Sequence, residues 1–121
     1  MYLISKKFNF SASHVLNGLK ENHPCSRLHG HNYAVTFCFR ANYLNETGFV
    51  VDYRDLDIIK KFIDEKLDHQ HLNDILDFNP TAENIAKFLY ETFKPKFAEL
   101  YRVEVSETPS TNAVYEKDER C

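Results

Sequence analysis

The segment that most constrains this chain is residues 25–31, CSRLHGH, in which a thiol and two imidazoles lie within seven residues. An apolar run follows at residues 33–39 and predicts a strand. Because side chains alternate across a strand, His29 and His31 share one face with the apolar residues of that run. Imidazoles on an apolar face need a partner, and zinc is a common one. The segment therefore predicts a metal site where this strand begins.

A third histidine continues the apolar face of the N-terminal segment. Residues 2–14 alternate as a strand does, and the phenylalanines share one phase with His14. If this strand pairs antiparallel with the next, its end lies beside the beginning of the next, which brings His14 next to His29 and His31. Three histidines leave one zinc coordination position open, which is typical of catalytic sites.

Two other interpretations of these residues stay open from spacing alone. His29 and His31 could be core histidines that bond to backbone groups. Cys25, which lies on the polar loop of residues 15–28, could be a fourth zinc ligand. A closed set of one cysteine and three histidines is typical of structural sites rather than catalytic ones.

Length, charge and cysteine content limit the class of protein. The 121 residues predict one domain, residues 1–121, and the net charge of −3 argues against a broad nucleic-acid surface. No apolar run is long enough to span a bilayer, and residues 1–15 lack a signal-peptide pattern. Of the three cysteines, Cys38 falls in a predicted strand and Cys121 is the last residue. No disulfide framework is indicated, and a cytoplasmic location is expected.

The order of the predicted elements is ββααββ, which indicates an α+β domain with an antiparallel sheet and two helices on one face. The elements are strands over residues 2–14 and about 30–41, helices over about 53–67 and from Thr81 to near Pro95, and strands over 101–107 and 113–115. The other face of this sheet and its edges are uncovered, which suggests assembly with other copies.

Several short motifs follow one another in a characteristic order. They are His14, Cys25-x-x-x-His29-Gly30-His31, Asp68-His69, Pro80-Thr81-Ala82-Glu83-Asn84, and Glu107-Thr108 before Ala113-Val114-Tyr115. With this combination the chain resembles, over almost its full length, the 6-pyruvoyltetrahydropterin synthase family. The three residues between Cys25 and His29 resemble its 6-carboxy-5,6,7,8-tetrahydropterin synthase branch, which belongs to queuosine biosynthesis. The pyruvoyl-forming enzymes usually have a longer gap.

The resemblance implies a fold and an assembly. Members of this family have the tunnelling fold (T-fold), in which each subunit contributes four strands and two helices. Three subunits close a barrel, and two such trimers stack into a homohexamer with its sites at subunit interfaces. The expected partners are thus a small pterin substrate and further copies of the chain, with no nucleic acid and no membrane.

The resemblance also implies a reaction, in which 7,8-dihydroneopterin triphosphate is converted to 6-carboxy-5,6,7,8-tetrahydropterin with release of acetaldehyde and triphosphate. The implied roles are zinc ligation by His14, His29 and His31, general base catalysis by Cys25, proton transfer by His69 oriented by Asp68, and pterin recognition by Glu107. Arg27 and Lys20 are cations near the motif, and Arg27 is our candidate for the triphosphate.

Simpler roles compete with some of these assignments. Asp68-His69 could be only a polar helix end, since a histidine suits a helix C-terminus. Glu107 could be only a frayed residue at the end of a strand. Two other functions also compete, namely triphosphate elimination to 6-pyruvoyltetrahydropterin and a non-catalytic binding module stabilised by zinc. Chelation separates the module from the enzymes, because a structural zinc holds the fold together whereas a catalytic zinc supports activity.

Overall fold

The computed structural model describes residues 1–117, so Cys121 lies outside the described residues. The strands in this part of the chain are β1 (Tyr2–His14), β2 (His29–Ala41), β3 (Gln70–His71), β4 (Leu100–Ser106) and β5 (Ala113–Tyr115). The α-helices are α1 (Asp57–Lys66), α2 (Leu72–Ile75) and α3 (Ala82–Phe93). The strands form one sheet in the order β3-β1-β2-β4-β5, which confirms the predicted α+β class.

The pairing of β1 with β2 positions the histidines. These strands run antiparallel in a register that starts at Tyr2 opposite Ala41 and ends at His14 opposite His29. Period-two alternation in both strands keeps their apolar residues on one face, so this register is strongly specified. The predicted meeting of His14 with the beginning of the second strand is therefore confirmed.

The hydrophobic core lies between one face of the sheet and the helices α1 and α3. Its fully buried members include Phe37 of β2, Ile59 and Ile63 of α1, and Leu89 of α3. The predicted apolar stripes of both helices face the core, where Phe62 and Phe88 are partly buried and the other members are buried. Helix α3 ends at Phe93, ahead of Pro95 as expected. The opposite face of the sheet carries polar side chains and is uncovered in the single chain.

Three local features differ from the sequence-based predictions. The sheet is mixed rather than purely antiparallel, because the two-residue β3 pairs parallel with β1 at Ala12 and Ser13. The predicted helix from residue 53 begins as a 3-10 turn, Tyr53–Leu56, whose cap is Asp52, and α1 follows it. The third difference is the helix α2, which was not predicted because, like β3, it is too short to produce a readable apolar period.

The longest described helix is α3, with 12 residues. No helix within residues 1–117 has the length and apolar character that a membrane crossing requires.

Candidate metal centre

Three histidines converge where β1 ends and β2 begins. His14, His29 and His31 each offer one ring nitrogen, and these three nitrogens all lie within 4.8 Å of one another. The closest approach is 2.8 Å, between Nε2 of His14 and Nε2 of His29. His14 is completely buried, and the other two rings are partly buried. The antiparallel register of β1 and β2 thus creates a compact group of nitrogen ligands.

The opposite ring nitrogens of two histidines are held by backbone carbonyls. Nδ1 of His14 lies 2.8 Å from the carbonyl oxygen of Pro80, and Nδ1 of His29 lies 2.7 Å from that of Arg27. A carbonyl can only accept, so each Nδ1 carries the hydrogen and donates it. In the neutral rings Nε2 is then left with a free lone pair, and bonds of this kind commonly orient metal-binding histidines.

Two lone pairs that face each other at 2.8 Å repel unless a cation lies between or beside them. The third histidine also needs a partner for a ring nitrogen, since Nε2 of His31 is buried and has no hydrogen-bond partner within residues 1–117. Its nearest carboxylate oxygen, Oε2 of Glu107, is 3.7 Å away, which is too far for a hydrogen bond. The residues therefore fit a divalent metal ion held by three imidazoles, a donor set that suits zinc.

The electrostatic environment keeps His14 in the form that can bind a metal. Burial lowers the pKa of His14 below its ordinary value, and the neighbouring His29 and His31 lower it further. The hydrogen bond to the Pro80 carbonyl acts in the opposite direction and raises this pKa. The buried hydroxyl of Tyr33 lies 3.1 Å from Nδ1 of His14. Burial, and then the charge of Glu107, raises the pKa of Tyr33, so this hydroxyl stays protonated.

Glu107 lies beside this metal centre, directly after β4. Its side chain is about one-quarter exposed, at 23%, so that the carboxylate faces the histidines on one side and reaches solvent on the other. The same residue lines two shallow clefts, one with Thr111 and Asn112 and another with Gly30 and Asn32. Of the predicted substrate-binding residues, Glu107 is thus brought to the centre.

Cys25 lies on the loop between β1 and β2, outside the group of metal-type ligands. It is half-buried in a 3-10 turn, Pro24–Ser26, and its amide donates to Nδ1 of His23 at 3.0 Å. Its thiol forms no disulfide or hydrogen bond to another of residues 1–117. The metal-type group found in this part of the chain contains the three histidines without Cys25, so the fourth ligand of a closed structural site is not in place.

Asp68 and His69 contact each other in the turn after α1. Oδ2 of Asp68 is 2.8 Å from Nδ1 of His69, while Oδ1 accepts the Ser11 amide at 2.9 Å. That amide, and after it His69, holds the pKa of Asp68 below its ordinary value. His69 has a positive φ of 58°, and its amide donates to the Ser11 carbonyl at 2.7 Å.

The side chain of His69 points away from the single chain. It is 83% exposed and lines an open cleft with Ser11, Ser13 and Asn32, which are residues of the polar sheet face. Among residues 1–117, no hydrogen bond joins His69 to Cys25 or to the three histidines. One chain therefore brings Asp68 to His69, and His31 of the metal centre lines the same cleft, but within residues 1–117 no hydrogen bond joins the pair to the centre.

The two predicted cations remain at the surface. Arg27 and Lys20 are both exposed on the loop between β1 and β2. The backbone of Arg27 makes two contacts: its amide donates to the Pro24 carbonyl at 3.2 Å, and its carbonyl accepts from His29 and so orients a metal-type ligand. Both contacts involve the backbone, and the guanidinium makes no hydrogen bond or ion pair with another of residues 1–117.

Sequence reasoning missed two partners of the metal centre. Tyr33 could have been found, because it shares the alternating phase of His29 and His31 and follows them directly. The carbonyl of Pro80 could not, since a backbone acceptor 66 positions away from His14 leaves no mark in residue types.

Solved structures define the class of fold to which this arrangement belongs. Caenorhabditis elegans 6-pyruvoyl tetrahydropterin synthase matches with a TM-score of 0.85 at 25% identity, covering 97% of this chain and 96% of that chain. An uncharacterised protein from Wolinella succinogenes matches with a TM-score of 0.86 at 23% identity, covering 97% and 98%. The protein has the T-fold of the 6-pyruvoyl tetrahydropterin synthases, as its motifs predicted.

The sequence assigns the family directly. Residues 3–118 match the profile described as 6-pyruvoyl tetrahydropterin synthase, and the chain belongs to this family. Among curated relatives, the 6-carboxy-5,6,7,8-tetrahydropterin synthase of Bacillus subtilis is 31% identical, covering 93% of this chain and 83% of the relative. The Synechocystis sp. protein of the same name is 34% identical, covering 95% and 93%. Family and relatives together support a tetrahydropterin synthase activity.

Proposed function

We propose that this protein converts 7,8-dihydroneopterin triphosphate to 6-carboxy-5,6,7,8-tetrahydropterin, releasing acetaldehyde and triphosphate, in the biosynthesis of queuosine. The observation that carries the proposal is the convergence of three imidazole nitrogens beside the carboxylate of Glu107. The names of the relatives favour the carboxy product over the pyruvoyl product. The three-residue spacing between Cys25 and His29 favours the same product.

His14, His29 and His31 would hold a zinc ion in this reaction. Bound there, zinc would act as a Lewis acid that makes the hydroxyl and carbonyl groups of the substrate side chain, and the protons next to them, more acidic. The protein contributes the orientation of the ligands, because Pro80 and Arg27 fix two of the rings through their carbonyls.

Cys25 is the proposed general base, and His69 the proposed second proton-transfer group. Asp68 accepts the Nδ1 hydrogen of His69 and is itself held by the Ser11 amide, so it sets the direction in which Nε2 of His69 points. Proton transfer needs hydrogen-bond reach to the substrate, whereas His69 is exposed in the single chain. We therefore infer that His69 acts in a site completed by another copy of the chain.

Glu107 is the proposed pterin anchor. A carboxylate can accept two parallel hydrogen bonds from the 2-amino group and N3–H of a pterin, which gives orientation as well as affinity. Its position beside His31 would hold the ring so that the substrate side chain reaches the metal centre. The exposed guanidinium of Arg27 is the proposed contact for the triphosphate.

Product identification tests this function. The zinc-loaded protein is incubated with 7,8-dihydroneopterin triphosphate, and every product is identified by mass. Acetaldehyde together with a 6-carboxypterin is the expected result. A pyruvoyl product would instead assign the sister activity, and no turnover by folded, zinc-bound protein would overturn the enzymatic proposal.

A further inference from the structure

Residues 15–17 directly follow β1, and an asparagine side chain holds one side of this segment through hydrogen bonds. The amide of Val15 donates to Oδ1 of Asn73 at 2.8 Å, and Nδ2 of Asn73 donates to the carbonyl of Val15 at 2.8 Å. One side-chain amide thus satisfies both backbone groups of Val15, as a residue of a neighbouring strand would.

A second asparagine repeats this arrangement two residues further on. The Asn17 amide donates to Oδ1 of Asn79 at 2.9 Å, and Nδ2 of Asn79 donates to the Asn17 carbonyl at 3.2 Å. Asn79 is itself tied to the beginning of α3, because its carbonyl accepts from Nδ2 of Asn84 at 2.9 Å. β3 pairs with the outer edge of β1, and the side chains of Asn73 and Asn79 continue this pairing beyond the end of β1.

The opposite side of the same segment holds Cys25. The amide of Leu16, between the two docked residues, donates to the carbonyl of Cys25 at 3.1 Å. Because successive backbone groups of an extended chain point to opposite sides, Val15 and Asn17 face the asparagines while Leu16 faces the cysteine turn. Residues 15–17 thus connect the two asparagines to Cys25, starting directly after a ligand of the metal centre.

We propose that Asn73 and Asn79 are positioning residues that fix Cys25 relative to the metal centre. The inference rests on the proposed function of Cys25 as general base, because a base must lie within hydrogen-bond reach of the proton it removes. Asparagine suits this task since its planar amide offers a donor and an acceptor side by side, whereas aspartate offers only acceptors and alanine neither. Neither asparagine lies in the motifs that resemble the family.

The test compares Asn73→Ala and Asn79→Ala with Asn42→Ala, an exposed asparagine whose side chain makes no hydrogen bond to another of residues 1–117. In the zinc-loaded protein, a displaced base lowers kcat by about tenfold to 100-fold in each of the first two variants. KM and zinc content stay as in the wild type, because the side chains of the two asparagines bond to Val15 and Asn17 and not to Glu107 or the three histidines. The control keeps the wild-type kcat.

Two further measurements separate positioning from a general loss of structure. Alkylation of Cys25 by iodoacetamide, located by peptide mass mapping, becomes faster in both alanine variants because the half-buried thiol is released. Asn73→Asp and Asn79→Asp keep an acceptor for the Val15 and Asn17 amides and lose the donor, so their kcat lies between alanine variant and wild type. If the alanine variants fail to fold, the same measurements are made on these two aspartate variants.

Two results would overturn the inference. One is an unchanged kcat and an unchanged alkylation rate in folded variants. The other is a fall in kcat that follows loss of zinc, which would assign the asparagines to the metal centre itself. If the wild-type protein converts no pterin, the proposed function fails, while the alkylation comparison still decides whether the two amides hold Cys25.

Discussion

Two histidines of the metal centre use one ring nitrogen to contact the protein and leave the other available for a metal ion. His14 and His29 give Nδ1 to a backbone carbonyl and turn Nε2 inward, where the two atoms approach to 2.8 Å. This division selects one tautomer and leaves little freedom for ring rotation. These two rings of the centre are therefore oriented by the protein itself.

Acidification of the metal-free protein tests the burial of His14. Because its pKa in the folded chain lies below the ordinary 6.5, the unfolded chain binds the proton at higher pH than the folded chain does. The free energy of unfolding should therefore fall as the pH drops below about 6.5, and change little with this group above that value. Denaturant unfolding of chelator-treated protein at several pH values measures the slope. An equal slope in His14→Gln would contradict the assignment to His14.

Removal of the Cys25 thiol distinguishes a base from a ligand. Cys25→Ala should keep its zinc and fold while turnover falls by about 10²–10⁴-fold, the usual contribution of a general base. Cys38→Ala is the control, since burial, and after it Glu104, raises the pKa of the Cys38 thiol to about 11 and keeps it inert. Metal analysis and turnover are measured together. Loss of zinc from Cys25→Ala would support a closed structural site.

Glu107→Gln tests the proposed pterin anchor at nearly constant side-chain size. The amide presents a donor where the pterin also presents donors, and a lost charge-assisted bond is worth about 1.5–3 kcal/mol, roughly tenfold to 100-fold in KM. Steady-state kinetics should show this rise with a smaller change in kcat. Glu46→Gln, on an exposed turn, is the matched control. A KM equal to that of the wild type would remove Glu107 from the binding role.

At the scale of elements, the beginning of α3 supports the metal centre. Thr81 caps this helix by accepting the Asn84 amide at 3.1 Å, and Pro80, the residue before it, offers its carbonyl to His14. The helix end and the metal-type ligand are thus connected through two consecutive residues. Loosening the cap should affect both stability and metal affinity.

Thr81→Ala measures this connection. Loss of a threonine cap lowers the free energy of unfolding by about 1 kcal/mol, and zinc affinity should fall in the same variant because the Pro80 carbonyl becomes less well placed. Denaturant midpoints and chelator competition measure the two effects. Thr47→Ala controls for the lost hydroxyl, since that side chain is exposed and forms no hydrogen bond to another of residues 1–117. A stability loss without a change in zinc affinity would show that cap and centre are independent.

At the scale of the whole molecule, one chain presents an incomplete set of reactive groups. The metal centre and Glu107 lie together, whereas His69 is exposed beside the polar face of the sheet. Only two residues of β3 pair with β1, so most of the outer edge of β1 is open for a further strand. Both features support our proposal that several copies assemble and that neighbouring chains complete each site.

Mixing two inactive variants tests the shared site. If Cys25 and His69 of one site come from different chains, oligomers assembled from Cys25→Ala and His69→Ala chains regain roughly a quarter of wild-type activity, since half of the sites receive each intact group. The mixture is unfolded, refolded together and compared with each variant refolded alone. Sites built within one chain would regain no activity.

Local patterns were enough to predict the longer strands and helices and the metal-type ligands. The two-residue period in β1 and β2 determines which side chains share a face, and antiparallel pairing then sets His14 opposite His29. The apolar stripes of α1 and α3 were equally readable, because each repeats over several turns. These features depend on residues close together in sequence, or on a register that the alternation itself specifies.

Contacts between distant segments became visible only in the folded chain. The Pro80 carbonyl on His14 and the two asparagine amides on residues 15–17 join positions 58 to 66 apart, and the short β3 pairs through similar contacts. Backbone acceptors and single side-chain amides carry no periodic signal, since any residue has a carbonyl and most asparagines lie in turns. The sequence therefore determines which groups can bind a metal, whereas tertiary packing determines how they and Cys25 are held.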